Sequence, residues 1–235
     1  MTASASSAIG KGKLMNPCAT FTLIVGPQKS KIAAPRALLA FYSRFFDTAF
    51  YDTFAESRTD TIDLPEDDTE EILTFVLWAK TGQLYSNVPL ESLWALGKRL
   101  QSDPFTNEVM FCMFGRDRNL AIIAKDAELA YSLTIPGSKL RAYTRRLIIY
   151  EGPLRHEELV PEDEKARRED WGRLIHQGGD LVYDIIVEER ASFSQDEDDH
   201  SRAPYYHTKH NLYLEEISEM SAEEFIEAKR KEGKL

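Results

Sequence analysis

The chain has 235 residues, 43% hydrophobic and 29% charged, with 29 Lys plus Arg against 39 Asp plus Glu and a formal charge of −10. That hydrophobic share excludes a disordered chain, and the acid excess argues against nucleic acid or an anionic membrane as the principal partner. Residues 1–115 hold 10 basic and 13 acidic side chains and residues 116–235 hold 19 and 26, so the excess sits mainly in the second half. Cys18 and Cys112, the only cysteines, are too few for a disulfide framework or a cysteine-rich zinc site. They read as thiols of a reducing compartment. The N-terminal MTASASSAIGKGK lacks a signal-peptide core, and runs such as LIIY at 147–150 are too short to span a bilayer. The expectation is an intracellular protein of the cytoplasm, the nucleus or both.

Residues 1–17, small and polar, read as a flexible leader. In TFTLIVG, Phe21, Leu23 and Val25 alternate with Thr20, Thr22 and Ile24, which predicts a strand with one apolar face. Gly26-Pro27 signals a turn, and KSKIAA returns as a second strand with Ile32 inward. A helix starts near Pro35, whose fixed φ suits a first helical turn. It carries Leu38, Leu39, Phe41, Tyr42, Phe45, Phe46 and Phe50 at three- and four-residue spacings. That face is broader than a half-exposed helix needs. Ile62 and Leu64 mark a third strand. Asp68 with Glu71 forms a capping-box pattern for a helix whose inner face is Ile72, Phe75, Val76 and Ala79, and Gly82 ends it.

Leu90, Leu93, Trp94 and Leu100 mark the next helix, and Phe105, Val109, Met110, Met113 and Phe114 another. Helices follow near 118–131, 138–150, 159–173 and 178–190, with breaks at Pro136-Gly137 and Gly152-Pro153. Residues 192–210 read as an acidic linker and 211–235 as a terminal helix or tail, with Ser221 and Glu224 as its capping signal. Strands first and a run of helices afterwards give an α+β domain at 18–115 with an all-α extension at 116–191. No internal repeat is visible.

The runs FTLIVG, APRALLAFYSRFF, FAES, IDLPEDDTEEILTFVLWAKTGQL and LWALGKRLQ, in that order between Phe21 and Phe114, resemble a BTB/POZ domain. SLTIPGSKLRAYTRRLIIYEG resembles the C-terminal part of small fungal BTB proteins. The resemblance implies a small sheet on a helical cluster and a protein–protein interaction module without catalysis. It also implies a candidate homodimer, and for many members recruitment of a cullin-type ubiquitin ligase scaffold. Thr20 and Pro35 stand where the family often has Asp and His, so its charged groove is not expected to be intact. Residues 1–17 do not supply the apolar helix and strand that longer members exchange between subunits, which counts against the swapped dimer.

The family's cullin signature, a hydrophobic residue, any residue and Glu, falls on Phe54-Ala55-Glu56. An aromatic entering an apolar pocket beside a carboxylate that accepts a charge-assisted hydrogen bond would make such a contact. Against this stands a Phe54 packed under its own loop. The aromatic series is expected to be core, with Tyr42 and Phe50 as the partner-facing exceptions.

His207, His210 and His200 with the acids Asp196 to Asp199 could suggest zinc, but a flexible polar tail is the simpler reading, and no metal is expected. Lys139, Arg141, Arg145 and Arg146 on one helix read as a solvated face or as counter-ions. No GxSxG, GxxxxGK[ST], HExxH or GxGxxG pattern occurs, so no catalytic residue, cofactor or small-molecule substrate is expected. The leading expectation is a cullin adaptor. A BTB scaffold or transcription-associated protein without a ubiquitin role is the alternative, and a metal-dependent enzyme using the histidine tail is the third.

Overall fold

The computed structural model describes residues 20–51, 61–151, 161–189 and 203–234. Among them run β1 (Thr20–Val25), β2 (Ser30–Pro35), α1 (Arg36–Tyr42), α2 (Arg44–Tyr51), β3 (Thr61–Leu64) and α3 (Thr69–Thr81). These are followed by α4 (Leu90–Arg99), α5 (Asp103–Asp117), α6 (Ala124–Ser132), α7 (Lys139–Glu151), α8 (Pro161–Gln177), α9 (Asp180–Glu189), a 3-10 helix (His207–Leu212) and α10 (Ala222–Lys231). All three strands lie before residue 65, with α1 and α2 between β2 and β3, and helices alone follow, the α+β architecture with a helical extension. Among the described residues no helix is long and apolar enough to cross a membrane.

The chain forms two compact units. One comprises Met1–Val88, Leu96–Thr106 and Glu216–Leu235, the other Pro89–Ala95 and Asn107–Glu215. The C-terminal twenty residues, Glu216–Leu235, group with the first unit.

In the first unit the sheet order is β2-β1-β3, with β1 antiparallel to β2 and parallel to β3. Leu23 sits opposite both Ile32 and Ile62, and Val25 opposite Leu64. Side chains alternate across a strand, so Phe21, Leu23 and Val25 point to one face and are fully buried. Gly26 turns the chain at φ 69, and a Cβ there would meet the Asp67 carbonyl at 3.3 Å; glycine alone takes both at no cost. Asp68 caps α3 by accepting from the Glu70 and Glu71 amides at 2.8 and 3.1 Å, and Gly82 ends it at φ 77. Both boundaries lie where the sequence places them.

The single helix expected from Pro35 onward is two helices. Ser43 breaks it in an extended conformation, φ −140 and ψ 119. Its hydroxyl donates to the Leu100 carbonyl at 2.6 Å and accepts from the Phe46 amide at 3.2 Å. One buried serine thus starts α2 and ties the break to the end of α4. The turn redirects the aromatic residues, and Phe46, Phe50, Phe75 and Phe105 meet in one core.

In the second unit Phe114, Tyr143 and Tyr213 make an edge-on aromatic cluster. Asn107 holds the Glu215 backbone from both sides, donating from Nδ2 to its carbonyl at 2.9 Å and accepting from its amide at 2.7 Å. Residues 203–215 are anchored at Ala203 and Tyr213, which are buried, and at Glu215, where a flexible tail was expected, while Tyr206, His207, Thr208, Asn211 and Leu212 remain exposed. Of the two readings of the basic residues on α7, a solvated face or counter-ions, Lys139, Arg141 and Arg145 take the second. Arg141 is buried, Lys139 pairs with Glu215 at 3.2 Å, and Arg145 lies 3.9 Å from Asp184. These cations are structural counter-ions.

The same unit concentrates acid around Arg116. The guanidinium meets Glu91 at 2.9 Å, Asp117 at 2.6 Å and Asp126 at 3.3 Å, and the Tyr143 hydroxyl donates to Asp117 at 2.8 Å. One cation faces three carboxylates, and Glu91 Oε2 is buried without a hydrogen-bond partner. Burial raises the Glu91 carboxyl above its ordinary 4.5; Arg116 lowers it and Asp126 raises it further. The folded protein thus holds that proton more tightly than the unfolded chain. The resulting stability is present in full below the ordinary value and is lost as pH rises through the raised folded value. Compared with Glu91→Gln, which cannot ionise, the native protein is expected to lose thermal stability progressively as pH climbs from 4.5. Paired unfolding curves across pH check this; a difference between the two proteins that stays constant with pH contradicts it.

Candidate interaction groove

A groove of about 720 Å³ opens in the first unit. It is bordered by the end of α1, the start of α2, the first residues of α5, and the segment running into α10. Its apolar lining follows from the chain break at Ser43: α1 stops with Phe41 and Tyr42 half-buried rather than turned into the core. The two rings meet edge-on at 4.9 Å, Tyr42 packs against Trp78 at 5.0 Å, and Phe225 of α10 meets Phe41 at 5.6 Å. Ile217 and Met220, also in the lining, are about half-exposed, at 52% and 50%.

Charge gives the groove a sign. Asp47, Asp103, Glu216 and Glu232 line it against Arg44 and Lys229. Lys229 lies 2.6 Å from Asp47 and 4.9 Å over the Tyr51 ring, and Asp103 is 3.4 Å from Lys98. Burial pushes the Tyr51 hydroxyl up to about 12, with Arg36 lowering it and Asp47 raising it; burial also raises Tyr42. Neither phenol ionises near neutral pH, so both act as apolar rings with a neutral polar tip. The lining offers aromatic surface and an acid excess, which suits an apolar side chain accompanied by a cation. It offers no nucleophile–base pair.

Tyr42 lines this groove. Phe50 does not: it is 1% exposed, 4.2 Å from the Phe21 ring and stacked on Phe46 at 5.5 Å. The break at Ser43 rotates it into the core, which corrects its place among the partner-facing residues. Phe54 and Glu56 lie outside the described residues. So do His200 and the acids at 196–199. His210 stacks on Phe114 at 4.0 Å with its Nε2 2.9 Å from the Tyr205 carbonyl. Among the described residues no group of three or more His, Cys, Asp or Glu is placed to hold a metal ion.

The residues that sequence reasoning missed are Ile217, Met220, Phe225 and Lys229, all from the tail. For Phe225 and Lys229 the signal was an aromatic and a lysine four residues apart on a capped helix, hence on one face; Ile217 and Met220, before that helix, had none. What α10 packs against has no such local signature.

Residues 13–111 match the family model described as the BTB/POZ domain. No curated protein matches the chain.

Proposed function

Because the chain carries a BTB/POZ domain at residues 13–111, a protein–protein interaction module, we propose that it is a non-catalytic adaptor that binds a cullin-type ubiquitin ligase scaffold inside the cell. The observation that carries the docking part is the open groove beside Tyr42, aromatic on one side and acid-rich at its rim. Such a surface can desolvate an apolar anchor, and a few anchors of this kind carry most of an interface's binding energy. The choice of a cullin rests on Phe54-Ala55-Glu56, which follows α2 directly in the chain and has the residue types of the family's cullin signature.

The test is affinity capture of the tagged full-length chain from cells, read by mass spectrometry. Wild type is expected to recover a cullin, and the Phe54→Ala/Glu56→Arg double variant to recover at least about tenfold less, the loss of one good anchor. Thermal unfolding of both proteins controls for folding. A wild-type capture that contains scaffold or chromatin proteins and no cullin removes the ligase form of the proposal and leaves an interaction scaffold.

A further inference from the structure

Helix α10 borders the groove through Phe225, Ala228, Lys229 and the following Glu232. Of its ten residues only Phe225 and Lys229 are buried. Phe225 meets Phe41 edge-on at 5.6 Å, and Lys229 bridges to Asp47 at 2.6 Å over the Tyr51 ring. The residues leading into it, 216–220, are exposed and in neither helix nor strand. The helix carries its own start signal: Ser221 Oγ accepts from the Glu224 amide at 3.2 Å while the Glu224 carboxylate accepts from the Ser221 amide at 2.8 Å. It is therefore a self-capped strap that follows an exposed, irregular segment and is fastened through two buried side chains, by a Phe225–Phe41 ring contact, a Lys229–Asp47 ion pair and the Lys229 cation over Tyr51.

Lifting this strap would expose the Phe41 ring and leave Asp47 without its cation, in a groove where carboxylates already outnumber cations. A face in that condition selects an apolar–cationic occupant. We infer that α10 is a displaceable strap over a helix-docking face of the first unit, and that the occupant replacing it is an amphipathic helix of a partner protein carrying an aromatic residue and, four positions on, a lysine or arginine. The pair reproduces Phe225 and Lys229, because residues i and i+4 share a helix face. The inference deepens the adaptor reading and rests on it. It supplies the first unit with a docking site separate from Phe54 and Glu56, and a closed state in which that site is filled by the chain's own tail.

The test uses the full-length chain and a labelled synthetic peptide spanning residues 218–235. When a binding-competent state is only partly populated, apparent affinity falls by that fraction. The Phe225→Ala/Lys229→Ala variant, with its strap released, is expected to bind the peptide at least about tenfold more tightly than wild type. A peptide with Lys229→Glu is expected to bind that variant at least about tenfold more weakly than the native peptide. Equal affinity for the variant and wild-type proteins, or no binding to a variant that keeps its native circular dichroism, overturns the inference.

Should the variant unfold, hydrogen exchange on wild type decides. Amides of 222–231 exchanging far faster than those of 72–79 support a strap, and equal protection overturns it. A stable wild-type dimer in which α10 is exchanged between copies would also overturn the partner assignment. The peptide titration involves no cullin, so its failure and a failed cullin capture are separate results.

Discussion

Replacing Arg141 by methionine is expected to lower the thermal midpoint by about 5–10 °C, corresponding to roughly 2–4 kcal/mol for taking a buried donor away from backbone carbonyls that depend on it. The side chain of Arg141 is 8% exposed and its guanidinium serves four acceptors. It pairs with Asp180 at 2.8 Å, donates to the Tyr131 carbonyl at 2.8 Å and to Thr134 Oγ1 at 3.2 Å, and also donates to the Thr134 carbonyl. The same group lies 4.8 Å over the Tyr131 ring. These contacts close the end of α6 onto the start of α7 and reach Asp180 at the start of α9, so one residue joins three helices. Methionine keeps most of the stem volume but takes the donor from the buried Tyr131 carbonyl and the part-buried Thr134 carbonyl, the first costing about 1–3 kcal/mol and the second less. Lysine keeps the charge as a point and cannot serve the fork, so Arg141→Lys should fall between methionine and wild type. Arg173→Met removes an exposed pair with Glu128 and is expected to change the midpoint little. If Arg141→Met and Arg173→Met shift it equally, the buried fork does not carry the weight assigned to it.

Arg141 also shows where sequence reading stops. On the page it is one of four basic residues on a helix, and local charge cannot tell a solvated face from a latch. The deciding partners, Tyr131, Thr134 and Asp180, belong to other elements. Features governed by neighbours in the chain were legible: the alternation of β1, the Asp68 cap and Gly82 stop of α3, and the Ser221–Glu224 box of α10. Those governed by distant partners were not. Ser43 looks like any polar residue in a helical run until the Leu100 carbonyl takes its hydroxyl, and that bond decides that Phe50 is core while Tyr42 stays at the surface. His210 and its neighbours look like a polar tail until Phe114 supplies a ring to stack on. The groove itself was half legible for the same reason. Its α1 side could be suspected from an aromatic series too broad for one buried face, but its α10 side is the product of a fold that brings residue 225 back to residue 41.

Gly97 gives a second large effect, with a sign that helix propensity alone would get wrong. It lies inside α4, where alanine is ordinarily favoured over glycine by about 1 kcal/mol. A Cβ at Gly97, however, would stand 2.4 Å from Thr106 Oγ1, 3.2 Å from the Phe105 ring and 3.2 Å from the Thr106 amide nitrogen. Thr106 has no room to yield: it is fully buried, and its hydroxyl is held by the Ser102 carbonyl at 2.9 Å. Its β-branched side chain can only exchange the hydroxyl for a methyl of similar size. Overpacking of a tight core costs roughly 1–3 kcal/mol, and here it also strains a buried hydrogen bond, so Gly97→Ala is expected to destabilise by about 2 kcal/mol net in denaturant unfolding. Adding Thr106→Ala removes the shortest contact and should recover part of that loss, leaving the two 3.2 Å contacts. Gly115, in α5 with nothing within 4 Å of its would-be Cβ, supplies the opposite case, and Gly115→Ala should stabilise by about 0.5–1 kcal/mol. A Gly97→Ala protein as stable as Gly115→Ala would mean that α4 and the start of α5 are not packed at the distance the structure shows.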